Sequence, residues 1–121
     1  MAAAVNWPIG GSRGCIDMVT GDPLILAAQG TITTATSGPW IRNPGFNQGI
    51  QIQIGGGGTE TATVLLEGSN DGLVAVEPIF ESFAMTHGHS LGNMYQVTWP
   101  WIRLRVSAVA NSPSVQASMS W

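Results

Sequence analysis

Lysine is absent from the 121 residues, and the basic side chains are four arginines: Arg13, Arg42, Arg103 and Arg105. Against seven acidic residues they leave a formal net charge of −3. Charged residues make up 9% of the chain, where an ordinary soluble domain has about 25%. With no basic run to neutralise phosphates, nucleic acid is excluded as a partner. No stretch approaches the ~18 uninterrupted apolar residues of a membrane span, so no membrane partner is expected. Residues 1–5 are small and apolar but lack the basic start of a secretory signal, and none is expected. Cys15 is the only cysteine. It excludes an intramolecular disulfide and a paired-cysteine zinc site, and it suits synthesis in a reducing cytoplasm.

Chemistry is as scarce as charge. The two histidines, His87 and His89, flank Gly88 in a loop without a third ligand fixed nearby, and they read as solvated residues. Cys15 has no companion pattern of an activated nucleophile. Glu77 and Glu81 are separated by Pro78, which argues against a carboxylate pair on one helix face. The four glycines 55–58 lack the lysine and Ser/Thr of a nucleotide loop and read as a hairpin connection. The expectation is therefore no catalytic residue, no metal, no cofactor and no enzyme.

What is present is period-two alternation between turn residues. Ile50, Ile52 and Ile54 alternate with Gln51 and Gln53, as in a half-buried strand. Ala62, Val64 and Leu66 share one face of the next segment, with Leu65 and Glu67 on the other. The tetrad Ser69-Asn70-Asp71-Gly72 is a turn signal, and residues 74–76 are expected to return beside the preceding strand. Residues 83–93 read as an exposed loop, and 95–98 as a short strand. Ile102, Leu104, Val106 and Ala108 oppose Trp101, Arg103, Arg105 and Ser107. Val115, Ala117, Met119 and Trp121 complete the series.

No amphipathic helix is evident. The pattern predicts an all-β, antiparallel, jelly-roll-like sandwich of seven or eight strands at residues 24–121, with an extended N-terminal arm at 1–23. A small barrel would give a similar alternation. The uncharged runs 49–54 and 114–120 lack the lysines that guard open strand edges, so loops or other subunits are expected to cover them.

Five tryptophans stand beside turns or at strand ends, where a large rigid ring serves corner packing or an interface. The candidate interface residues are Trp7, Ile9, Trp40, Trp99, Trp101, Arg103, Arg105 and Trp121. For the two strand arginines the ordinary role is pairing with Glu67 or Glu77 inside the domain.

The run 62–72, Ala-Thr-Val-Leu-Leu-Glu-Gly-Ser-Asn-Asp-Gly, resembles a hairpin of small tailed-bacteriophage structural proteins. The late strand 97–106, Val-Thr-Trp-Pro-Trp-Ile-Arg-Leu-Arg-Val, extends the likeness, which covers residues 61–121. Among these proteins the chain is most similar to capsid decoration, or cement, proteins. The resemblance implies a virion structural protein on the capsid surface, made in the host cytoplasm. Its partners would be the major capsid protein or other virion proteins, and it would act as a homo-dimer or homo-trimer. The same turn also occurs in carbohydrate-binding sandwiches, which implies the alternative of a glycan-binding or adhesin module on a tail or fibre. After Gly72 this chain has Leu73-Val74 where both groups often place a tryptophan.

Overall fold

The computed structural model describes residues 14–23, 30–45, 47–76, 80–86, 88 and 90–121. They form nine strands: β1 Cys15–Asp17, β2 Thr36–Ser37, β3 Ile41–Arg42, β4 Asn47–Gly55, β5 Thr61–Ser69, β6 Glu81–Thr86, β7 Ser90–Gln96, β8 Trp101–Ala110 and β9 Ser114–Ser120. One sheet runs β1-β9-β4-β7. The other runs β2-β8-β5-β6, with β3 following β2 along the same edge of β8. All pairings are antiparallel. Apart from β2–β3 and β5–β6, each connection crosses to the other sheet, which is the jelly-roll arrangement the alternation predicted.

The reason lies in which side chains are apolar. Ile50, Ile52 and Ile54 of β4 and Val115, Ala117 and Met119 of β9 meet Val64 and Leu66 of β5 and Ile102, Leu104 and Val106 of β8 in one core. Their polar alternates, Gln51, Gln53 and Arg105, stay exposed. The uncharged runs 49–54 and 114–120, expected to need cover, are interior strands. β9 lies between β1 and β4, and β4 between β9 and β7, so the sandwich pairs these strands itself.

Other expectations are also corrected. Residues 83–93, expected as a loop, supply most of β6 and β7. Both strands end their sheets: β6 alternates but fully buries only Met85, and β7 fully buries no side chain, so its Ser, Gly and Asn residues carry no alternation. Residues 74–76 form no strand; Val76 N–H donates to Gly68 C=O at 2.7 Å, and the next described strand is β6. On β8 the pairing slips between Thr63↔Ala108 and Val64↔Val106, leaving Ser107 as an extra residue. Ala108 is therefore exposed, and Val109 packs on the core instead.

Within the segment read as an arm, Cys15–Asp17 is the edge strand β1, paired with β9. Asp17 is buried and ties the following loop down: Oδ1 accepts from Val19 N–H at 2.8 Å, and Oδ2 from Gly30 N–H at 2.6 Å. Residues 1–13, the apolar run 24–28, Glu77, Pro78 and both histidines lie outside the described residues.

The glycine loop after β4 holds an anion of its own. Glu60 is buried, and both its carboxylate oxygens accept from Gly58 N–H, at 2.8 and 3.0 Å. A Cβ at Gly56 would lie 2.3 Å from the Glu60 carboxyl carbon, so the loop closes over this side chain as only glycine permits.

Candidate functional site: the tryptophan and arginine face

β8 directs Trp101, Arg103 and Arg105 to the outer face of the five-stranded sheet, opposite its core residues. β5 places Glu67 directly across from Arg103. Arg103 Nε lies 2.6 Å from Glu67 Oε1, and Arg105 Nη1 lies 3.3 Å from Oε2. Glu77, the other partner considered, lies outside the described residues. Although on an outer face, Glu67 is only 2% exposed.

Its cover comes from the break between β2 and β3. Gly38 N–H still donates to Leu104 C=O at 2.7 Å, but Pro39 has no N–H to continue the pairing. The chain bends there and brings Trp40 over the sheet, with its ring 4.4 Å from the Arg103 guanidinium carbon. Arg42, which the sequence did not single out, lies 5.3 Å from the Trp101 ring. A guanidinium at these distances is attracted to the ring's π face.

Beside Trp101 stands the turn after β5. Ser69 is buried, and its hydroxyl donates to Asp71 Oδ1 at 2.8 Å while accepting from Gly72 N–H at 3.0 Å. Asp71 Oδ1 also accepts from Leu73 N–H at 2.8 Å and Val74 N–H at 3.0 Å. Gly72 takes φ 71° and lies against the Trp101 ring. The result is a rigid turn carrying Leu73, 79% exposed, and Val74, 69% exposed. Pattern reading missed this apolar tip because alternation locates residues that face the core, and these face away.

The amides of Val74 and Leu73, then the Ser69 hydroxyl, hold the Asp71 carboxyl below its usual range. A lowered folded value means the bonds to the carboxylate are fully present above the ordinary carboxylate range. They are lost as pH falls through the lowered value. The Leu73 and Val74 amide resonances should therefore shift together on acid titration while core amides hold. Flat Leu73 and Val74 shifts across that titration would disprove the anchoring.

The other expected residues separate. Trp99 turns inward at the corner, its ring against Gly68, and lines a groove of about 310 Å³ with Arg42, Pro44 and Pro100. Asn43 Nδ2 fixes that corner by donating to Val97 C=O at 2.9 Å and Trp99 C=O at 2.8 Å. Trp121 belongs to the other sheet, where its N–H donates to Gly14 C=O at 3.1 Å. Trp7 and Ile9 lie outside the described residues.

Among the described residues, no three His, Cys, Asp or Glu side chains are grouped to hold a metal. No helix among them is long and apolar enough to cross a membrane. The half-buried Cys15 thiol is pushed up, chiefly by burial, which disfavours the reactive thiolate.

No family model matches the chain, and no curated protein does. Among solved structures it is similar to the crystal structure of the SPBc2 prophage-derived protein YomS, with a TM-score of 0.59 and 9% identity. The likeness covers 90% of this chain and 93% of that one, and at this identity it is a likeness of fold.

Proposed function

We propose that this chain is a structural protein of a tailed-phage particle, and specifically a decoration protein that bridges subunits of the capsid surface. Its work is done by surface burial. The observation that carries the reading is the Leu73–Val74 tip, two exposed apolar side chains held by a five-bond turn network beside Trp101. Apolar side chains on a preordered loop lose little entropy on docking, so a partner gains most of the burial energy. Trp101 against Gly72, and beyond it Trp40 and the arginines, continue the same face. Rings and guanidinium groups at an interface centre carry much of the binding energy, and a stable junction needs roughly 1,500 Å² in total.

Support comes from the fold shared with a prophage-derived protein, from the phage-like hairpin and late strand, and from the scarcity of charge. The partners in this reading are the major capsid protein or another virion protein, with the chain itself a homo-oligomer. A glycan-binding role is less well supported, because a sugar stacks on an open ring. Arg103 covers one face of Trp40, and Arg42 lies against Trp101.

Particles purified on a gradient from cells producing the phage should contain the chain in a fixed ratio to the shell protein. The double variant Leu73→Asp and Val74→Asp should fold normally, since both positions are exposed, and be lost from the particles. Particles that lack the wild-type chain, or retain the double variant at full ratio, would sink the proposal.

A further inference from the structure

Among the described residues, two strands of six or more residues end a sheet, β6 and β7. β6 opens on Glu81, whereas Ser90–Gln96 carries no charge and no proline. β7 pairs with β4 in unbroken register from Asn47↔Gln96 to Gln53↔Ser90, without a bulge to turn its far edge aside. Met94 N–H donates to the neighbouring Asn93 Oδ1 at 3.0 Å, a local bond that an incoming carbonyl would replace. A straight, uncharged edge of this kind is a template for another strand.

We infer that two copies of this chain join edge to edge through β7, antiparallel about a twofold axis at Asn93, merging their four-stranded sheets. The strand is complementary to itself. Full overlap of residues 90–96 sets Ser90 opposite Gln96, Leu91 opposite Tyr95, and Gly92 opposite Met94, with no like charges facing. Met94 is 78% exposed, while a Cβ at Gly92 would meet nothing within 4 Å. Each methionine therefore lies over the other copy's glycine. There it enters a shallow groove of about 610 Å³ lined by Gly49, Gly92, Ser118 and Ser120. A strand bearing a charge, or a side chain too short to reach over the glycine, at the position facing Gly92 would fit less well, which favours a second copy over an unrelated strand. The inference deepens the homo-oligomer of the proposed function without requiring the particle, and its test uses the isolated chain.

The two Asn93 residues would form a non-hydrogen-bonded pair, with Cα atoms about 4.5 Å apart, inside the disulfide range of roughly 4.4–6.8 Å. In a Cys15→Ser background, Asn93→Cys should oxidise rapidly to a covalent dimer, while Gln51→Cys on interior β4 should not. By sedimentation the wild type should dimerise between micromolar and near-millimolar concentration. Met94→Lys should weaken the dimer at least about tenfold, because it sets two like charges on the same face at diagonal positions whose Cα atoms lie roughly 7–8 Å apart across the axis. Its thermal unfolding should not change. A wild type that stays monomeric throughout, an Asn93→Cys thiol no faster than the Gln51→Cys control, or a Met94→Lys dimer of unchanged strength would each overturn the inference. None of these outcomes depends on whether particles contain the chain.

Discussion

Replacing Glu67 with alanine will lower unfolding free energy by about 2–3 kcal/mol and change the fluorescence of Trp40. The carboxylate is 2% exposed and is the acceptor for both Arg103 and Arg105. Removing one member of a fully buried pair typically costs about 3–5 kcal/mol, because the survivor is left charged and unpaired. Here the arginine side chains retain 22% and 45% exposure, so water compensates in part, and the smaller figure applies. Arg103 is the more enclosed, at 2.6 Å from Glu67 and beneath Trp40, so Arg103→Ala should approach the cost of Glu67→Ala. Arg105→Ala should cost about 0.5 kcal/mol, in the range of an exposed pair. Chemical denaturation of the three variants and the Glu67/Arg103 double mutant gives the coupling energy directly. A Glu67→Ala protein as stable as wild type, with unchanged tryptophan emission, would show that this carboxylate does not organise the face.

That cluster was partly legible in the sequence. Alternation put Arg103 and Arg105 on the face opposite Ile102 and Leu104, with Glu67 or Glu77 as the expected partner inside the domain. Sequence patterns do not record that a proline between two short strands bends Trp40 over the pair. Nor do they show that Arg42, in a two-residue strand, reaches Trp101. The same distinction explains the fold. β4, β5, β8 and β9 each bury one face against the core, and burial leaves a period-two trace. β6 and β7 end their sheets: β6 keeps the alternation but fully buries only Met85, and in β7 exposed Ser, Gly and Asn residues are tolerated and the trace fades. Residues 74–76 are apolar for a different reason, since Val74 is an exposed side chain on a turn and not part of a ladder. The uncharged runs misled for a third reason. An edge strand and an interior strand can have identical sequences, and only the pairing of β9 with both β1 and β4 distinguishes them.

Gly68→Ala should destabilise the chain by about 1–3 kcal/mol, the range for forcing extra volume into a packed site. Gly68 pairs with Ile102 on the inner side of β5, where the Trp99 ring occupies the space a side chain would take. An added Cβ would lie 2.5 Å from both Trp99 Cγ and Cδ1 and 2.9 Å from its Cβ. Contact so near the main chain cannot be relieved by swinging a flexible tip. The corner 97–100 would have to move, and Asn43 holds two of its carbonyls. The strain should therefore reach Asn43 and β3 as well as Trp99. Gly92→Ala supplies the contrast: its Cβ meets nothing within 4 Å, so the isolated monomer should keep its stability to within about 0.5 kcal/mol, as for an ordinary surface change. Thermal unfolding of both variants at low concentration, where the chain is a monomer, makes the comparison clean. Equal stability for the two would mean that the Trp99 corner yields freely and that the tight fit at Gly68 does not hold the two sheets' end together.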